Sequence, residues 1–269
     1  PLTKNISKHL LPVYNKPLIY YPLTNLIAAG INEICIVSNK SNIQKFKNQL
    51  GFGDDIGCSF KYIVQEESLG IPDVIIRALE VLGESPITLI LGDNVITSSD
   101  VLINTLRKKN VNGAQIFTTK VQDPSRFGVV NFDKSMKIID LEEKPNKPKS
   151  NYAIIGLYIF DKEVYKYINN ISISERGEYE IIDIINQYKH KNTLNVNILK
   201  RGSMWFDAGT YDSLNRASNF IELSEKESGT MIGCIEEAAF RSGLIDKKTL
   251  FKLASSIPES GYKNYLLNL

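Results

Sequence analysis

Short apolar runs alternate along this chain with longer stretches in which apolar residues recur at helical spacing. After a polar, irregular start over Pro1 to Leu11, Lys16-Pro17 leads into a helix predicted over Leu18 to Ala29 and stopped by Gly30. Ile34 to Val37 reads as a buried strand, Ile43 to Leu50 as a helix, and Phe60 to Val64 as a strand ending at Gln65. A helix follows over Ile71 to Leu82, with Pro72 in its tolerant first turn. Ile87 to Leu91 is then apolar without alternation and halts at Gly92-Asp93-Asn94. Such a run suggests a strand covered on both faces, the usual state of an inner strand in a parallel sheet.

Past Asn94 a helix is expected over Val101 to Lys109, followed by strands at Ala114 to Val121, Gly128 to Phe132, Lys137 to Glu142 and Tyr152 to Phe160. Strands joined without helices imply antiparallel or mixed pairing. A helix from Glu180 to Tyr188, a strand at Leu194 to Leu199 and the segment Met204 to Thr210 complete this part, and beyond Thr210 the pattern is helical throughout. The expected fold is therefore α/β, a Rossmann-like doubly wound mixed sheet over residues 1–210 with a small helical C-terminal cap over residues 211–269.

Composition narrows the function classes. The 269 residues are 43% hydrophobic and 23% charged, ordinary for a globular protein, and the net charge of +2 gives no electrostatic case for nucleic acid. No apolar run is long enough to span a bilayer, so no membrane association is expected. Cys35, Cys58 and Cys234 lie far apart, and with two histidines a structural zinc site is not indicated. The expected setting is the cytoplasm.

Chemistry-bearing residues gather at strand ends. Asp93, beyond the apolar run, offers a hard oxygen ligand for Mg²⁺, although Asp93 and Asn94 equally suit a plain turn. Asp207 in Trp205-Phe206-Asp207-Ala208-Gly209-Thr210 repeats the arrangement, with helix capping near Thr210 as the alternative. In Glu142-Glu143-Lys144-Pro145, Lys144 suits a phosphate and a Glu suits sugar hydroxyls, but strand alternation puts Glu143 and Lys144 on opposite faces unless the strand breaks there. Arg176 suits a phosphate, while Glu180 and Asp183 are explained by the following helix dipole. His9 reads as a packing or surface residue. Gln65 and Gly70 suit recognition of a nucleobase, or Gln65 is incidental to its loop.

The segments Lys8-His9-Leu10-Leu11-Pro12, Leu91-Gly92-Asp93-Asn94, Phe127-Gly128-Val129-Val130, Glu142-Glu143-Lys144-Pro145 and Trp205 to Thr210 occur in this order. With them the chain resembles the sugar-1-phosphate nucleotidylyltransferases, most closely the short glucose-1-phosphate thymidylyltransferases. The resemblance implies an enzyme of Mg²⁺-dependent nucleotidyl transfer, in which dTTP and glucose 1-phosphate give dTDP-glucose and pyrophosphate. Carried over, it places Mg²⁺ on Asp93 and Asp207, the sugar phosphate on Lys144 and Arg176, and the nucleotide phosphates on Lys8. It gives the sugar hydroxyls to Glu143, Gly128 and the backbone near Ile154, the base to Gln65 and Gly70, and adds Asn94, Tyr158 and Trp205 to the substrate-binding set.

Two features depart from the family pattern. Its opening strand and glycine-rich G-G-x-G-T-R turn do not precede the segment beginning at Pro1-Leu2-Thr3, which leaves two expectations: residues ahead of Pro1 in the natural protein, favoured because the other motifs are kept, or an impaired chain. Gly70-Ile71-Pro72-Asp73 stands where the branch commonly has Gly-Leu-Ala-Gln, which leaves dTTP, dUTP and UTP all open. Uridylyl transfer and a non-catalytic nucleotide-sugar-binding role are the alternatives. The resemblance further implies a homo-oligomer, dimer or tetramer, joined through the cap, with a second nucleotide pocket near Glu237 and Arg241.

Overall fold

The computed structural model describes residues 2–97, 100–108 and 111–269. It contains two compact units: Pro1–Val64 with Gly92–Lys108 and Ser203–Leu269, and Gln65–Leu91 with Lys109–Gly202. The chain passes from the second unit into the first at Leu91 and Gly92, where the apolar run ends.

In the first unit the helix Tyr20–Ala28 buries Tyr21, Leu23, Leu26 and Ile27, and Gly30, at φ 79°, turns the chain away in the left-handed region that glycine tolerates. The strands Glu33–Ser38 and Ser59–Val64 pair in parallel, with the helix Lys40–Leu50 between them in sequence. That helix begins before Ile43, because the Asn39 side chain caps it by accepting from the backbone N–H of Asn42. Asn94–Ile96 pairs antiparallel with Trp205–Asp207. The helix Tyr211–Ser228 seats Ala217 and Ile221 against Val13, Tyr21, Val95 and Ala208. The final helices, Ile235–Arg241, Lys247–Ser256 and Gly261–Leu267, close around Cys234, Leu250, Ala254 and Leu266. Against the expected helix Val101 to Lys109 the structure has Asp100–Leu106, and Lys109 lies outside the described residues.

The second unit is built on a six-stranded sheet. Leu194–Ile198, Ala114–Lys120, Tyr152–Phe160, Gly128–Phe132 and Ile138–Glu143 follow one another across it, and Ile87–Ile90 pairs with the C-terminal half of Tyr152–Phe160. Leu194–Ile198 and Ala114–Lys120 are parallel, and the other pairs are antiparallel. The run Ile87–Ile90 thus differs from its reading as a parallel inner strand: Ile87 stands opposite Phe160 and Ile90 opposite Leu157, and all four residues are half-buried. Unbroken apolar character reports contact on two faces, and it carries no information on strand direction. Helices Ile71–Leu82, Val164–Ile168 and Ile181–His190 cover the sheet through Ile75, Val164, Ile184, Ile185 and Tyr188, packed on Ile116, Tyr158 and Phe160.

Candidate functional site

Asp93 and Asp207 come together in the first unit by strand pairing. Asp207 lies opposite Asn94 in register, and the N–H of Ala208 donates to the carbonyl of Asp93 at 2.9 Å. Each aspartate therefore ends or flanks a strand beside the other. Lys8, on the single 3₁₀ turn Lys8–Leu10, donates from Nζ to Asp93 Oδ2 at 2.7 Å, and Asn94 Nδ2 donates to Asp93 Oδ1 at 3.0 Å. Trp205 Nε1 in turn donates to Asn94 Oδ1 at 2.5 Å, so the amide of Asn94 is oriented by the indole and itself orients the aspartate. Burial pushes the Asp93 carboxyl upward, but the Lys8 ammonium, its hydrogen bond and those of its neighbours outweigh this and leave it below the ordinary range.

Helix capping, the rival role for Asp207, belongs to Thr210: its hydroxyl accepts from the N–H of Ser213 while Ser213 Oγ accepts from the N–H of Thr210. Asp93 does sit in a turn and also holds the Lys8 ion pair, so both descriptions apply to it. His9 is a packing residue, tilted against Phe46 at 6.3 Å between ring centroids and lying over Gly92; burial lowers its pKa.

Whether this pair fits a divalent cation is decided by its donors and its space. Each residue brings a carboxylate, the hard oxygen donor that suits a cation completing its shell from phosphate and water. A Cβ added at Gly209 would come within 2.9 and 3.0 Å of the two Asp207 carboxylate oxygens, so this glycine keeps open the room beside the carboxylate. No cluster of three or more His, Cys, Asp or Glu suited to a metal occurs among the described residues. Asp93 and Asp207, on adjoining backbone, would offer two carboxylates, a number Mg²⁺ accepts when phosphates supply the rest. The residues fit the ion.

The second unit holds a cleft of about 260 Å³ lined by Gln65, Gly70, Glu143, Lys144, Glu178 and Glu180 among others. Glu143 closes the strand Ile138–Glu143, and Lys144 follows with φ 40°, a left-handed conformation unusual for lysine. The strand breaks at that point, and both side chains reach the same cleft, with Lys144 Nζ 3.8 Å from Glu143 Oε1. Arg176 Nη1 lies 3.7 Å from that same oxygen and 3.3 Å from Glu180 Oε1, while Nη2 lies 3.7 Å from Glu178 Oε2. Two cations thus face one carboxylate. Burial raises the Glu143 pKa despite Lys144 and Arg176, with Glu180 and Glu178 adding to the rise.

Gly128 is in register with Glu143, and a Cβ on it would meet Glu143 Oε2 and Ile154 Cδ1 at 3.2 Å each, which places the three residues together. Tyr158 is buried, and burial followed by the charge of Glu143 drives its phenol upward. Gly70, at φ 91°, packs so closely that a Cβ would lie 2.2 Å from the carbonyl oxygen of Tyr179. Gln65 is tied into its surroundings: Nε2 donates to Asp73 Oδ2 at 2.8 Å, and Arg77 Nε donates to the same oxygen at 2.7 Å. Sequence reasoning noted Asp73 as a departure but missed this contact, which the helical spacing of Asp73 and Arg77 alone hints at.

Glu237 and Arg241 form an i,i+4 ion pair at 2.6 Å, and Tyr265 Oη donates to Glu237 at 2.8 Å. No helix among the described residues is long and apolar enough to cross a membrane.

Comparison with known proteins bears on both units. Residues 1–224 match the family model described as nucleotidyl transferase. A glucose-1-phosphate thymidylyltransferase of Mycolicibacterium smegmatis is 41% identical over 269 residues, covering 100% of this chain and 93% of the relative. One from Mycobacterium tuberculosis is 39% identical with the same coverage. Among solved structures, a candidate glucose-1-phosphate thymidylyltransferase from Bacillus anthracis in complex with sucrose superposes with a TM-score of 0.75 at 39% identity, over 82% of this chain and 88% of that one. A UDP-glucose pyrophosphorylase complexed with UDP-glucose gives 0.72 at 26% identity, over 83% and 93%.

Proposed function

The chain belongs to the nucleotidyl transferase family, an enzyme family, and from that membership we propose that it joins dTTP and glucose 1-phosphate into dTDP-glucose with release of pyrophosphate. The observation that carries the sugar-phosphate half of this reading is the convergence of Lys144 and Arg176 on one oxygen of Glu143 in the cleft. Lys144 and Arg176 face one oxygen of Glu143 from 3.8 and 3.7 Å, an arrangement of two cations suited to a phosphate oxygen.

The displacement is simple in its atoms. A phosphate oxygen of the sugar 1-phosphate forms a bond to the α-phosphorus of the nucleotide, the bond from that phosphorus to the bridging oxygen of the β-phosphate breaks, and pyrophosphate leaves with the electron pair. The attacking oxygen is already anionic, so no side chain needs to remove a proton. What the protein supplies is alignment and charge. Lys144 and Arg176 bind the sugar phosphate, Glu143 accepts hydroxyls of the sugar, and Gly128 leaves the space beside it. Lys8 pairs with Asp93 and neutralises nucleotide phosphate. Asp93 and Asp207 would hold Mg²⁺, which would supply Lewis-acid stabilisation of phosphate charge. Asn94 and Trp205 orient Asp93. Gln65 and Gly70 take the base.

UTP is the second reading, favoured by the likeness to a protein solved with UDP-glucose. Pyrophosphate release with dTTP or UTP and glucose 1-phosphate in Mg²⁺ buffer tests both. A higher kcat/KM with dTTP is the expected result. Release with no pair of nucleotide and sugar phosphate, alongside tight nucleotide-sugar binding, would establish a non-catalytic binding role instead. The helices beyond Thr210 carry exposed Tyr211, Leu223 and Phe251, and we assign to this segment the surface that joins copies of the chain, which light scattering reads directly.

A further inference from the structure

We propose that Asp73 is a positioning residue that sets the nucleobase preference of the cleft by fixing which end of the Gln65 amide a base meets. The proposal rests on the reading above in one respect, that Gln65 faces the base. An ionised carboxylate can only accept, so the atom of Gln65 that lies 2.8 Å from Asp73 Oδ2 is the amide nitrogen. Gly70 O, the other polar atom near that nitrogen, is 3.5 Å away and is also an acceptor. The amide therefore has one orientation, with its donors turned to Asp73 and its carbonyl oxygen left for a ligand.

Asp73 is itself held. Its side chain is 9% exposed, it stands in the first turn of the helix Ile71–Leu82, and Arg77 one turn later donates to the oxygen that receives Gln65. The Arg77 Nε–H and the Gln65 amide thus both donate to Oδ2 of the carboxylate. Pro72 and the backbone at Gly70, which packs against Tyr179, fix the start of the helix that carries the carboxylate.

A side chain that presents only an acceptor selects a ring with an N–H at that position. Uracil and thymine carry N3–H there. Cytosine carries a lone pair on N3, which would face the carbonyl oxygen of Gln65 with nothing between them. A neutral residue in place of Asp73 would let the amide turn over and present N–H instead, so the selection depends on the charge at position 73 and not on Gln65 alone.

The test compares dUTP with dCTP, which share their sugar and lack the 5-methyl group, so that the ring edge is what differs. Dissociation constants come from calorimetry, and kcat/KM from pyrophosphate release with glucose 1-phosphate. The wild-type protein is expected to bind dUTP at least about 100-fold more tightly than dCTP, the scale of an unmade buried hydrogen bond set against a repulsive one. Asp73→Asn is expected to cut that ratio about tenfold or more, mostly through improved dCTP binding, whereas a merely structural loss would weaken both nucleotides alike. Should the single variant unfold, Asp73→Asn combined with Arg77→Gln removes both charges and gives the same reading. An unchanged ratio in a folded variant overturns the proposal, as does a wild-type protein that binds dUTP and dCTP equally while still releasing pyrophosphate. Binding of neither nucleotide, with no turnover, would instead remove the functional reading beneath it and this proposal with it.

Discussion

Asp207 stands across an antiparallel pair from Asn94, so that two aspartates far apart in the chain end up on adjoining backbone, Ala208 N–H to Asp93 C=O at 2.9 Å. If they share a cation, the neutral variants Asp93→Asn and Asp207→Asn should each lower kcat by about 100-fold or more, the scale found when one group stabilising transition-state charge is removed. Gly209→Ala is the finer probe. Its Cβ would fall within 3.0 Å of both Asp207 carboxylate oxygens, while its backbone is not in the glycine-only region. Activity at saturating substrate should then demand several-fold more Mg²⁺, with the melting temperature little moved.

Lys144 combines two roles that one pair of variants separates. Its φ of 40° is costly for lysine, by roughly 1 kcal/mol, and glycine would adopt it freely. Lys144→Gly should therefore preserve or raise the melting temperature and yet increase KM for glucose 1-phosphate about tenfold or more. Lys144→Ala keeps the left-handed strain and should raise the same KM with no gain in melting temperature. Arg176→Ala should raise the same KM, and the double variant should fall short of the product of the single effects, because both cations face the same Glu143 oxygen.

How far the sequence exposes this architecture varies by the kind of signal. Helix Ile71–Leu82 and strands Gly128–Phe132 and Tyr152–Phe160 have the bounds that apolar spacing and turn residues imply, since local burial is what those patterns encode. The need for a break between Glu143 and Lys144 was readable because alternation is a strict geometric rule. The partner of Ile87–Ile90 was not readable, because pairing direction is a tertiary choice made with Tyr152–Phe160, distant in sequence. Neither was the early start of Lys40–Leu50, where polar residues ahead of the first apolar position hid the Asn39 cap. The short strand pair Pro12–Val13 with Lys16–Pro17 and the helices Val164–Ile168 and Gly261–Leu267 fall below the length at which periodicity speaks. At the site, residue types and order suggested the chemistry, but the bond from Gln65 to Asp73 depends on a loop closing onto the next helix.

Gly70 tests whether the cleft depends on backbone shape. It needs a left-handed φ of 91° and leaves no space, since a Cβ would lie 2.2 Å from Tyr179 O. Gly70→Ala should destabilise the protein by about 2–4 kcal/mol, from strain and overpacking together, with a melting temperature several degrees lower. Gly83→Ala is the control: the same left-handed region, at φ 74°, with open space around it, so only the smaller conformational cost should appear.

The three thiols make a prediction about pH. Burial pushes Cys35 and Cys58 to about 11 and Cys234 to about 12, above the ordinary thiol value of 9.0. At pH 8 an aromatic disulfide reagent should label the native protein slowly and the denatured protein at once. The folded state holds these protons over a range in which the unfolded chain has released them. The unfolded state therefore binds fewer protons, and stability is full below about pH 9 and falls as pH rises toward 11 and 12. Denaturant midpoints at pH 8, 9.5 and 10.5 should fall in that order, and Cys58→Ser should flatten part of the fall.

Away from the sites, Lys16 and Glu225 form an ion pair with side chains only 2% and 7% exposed, Nζ to Oε1 at 2.8 Å. The carboxylate also accepts from the N–H of Ile232 at 2.8 Å and from Asn15 Nδ2 at 3.1 Å, while Lys16 donates to Asn15 Oδ1 and lies 5.8 Å from the ring centroid of Tyr262. This one pair links the short strand Lys16–Pro17 to the helix Tyr211–Ser228 and to the chain that follows it. Desolvating both charges costs much of what their attraction returns, so the pair as a whole need add little stability, but either member alone is a buried charge without its partner. Lys16→Met should therefore cost about 3–5 kcal/mol, lessened by the two N–H donors that still reach Glu225. Lys16→Met combined with Glu225→Gln should cost less than Lys16→Met alone, because the second change removes the charge that the first one stranded. Urea unfolding of the wild type, both single variants and the double variant gives the coupling energy directly. Additive losses would show that Lys16 is held by packing on Tyr262 and not by the charge of Glu225.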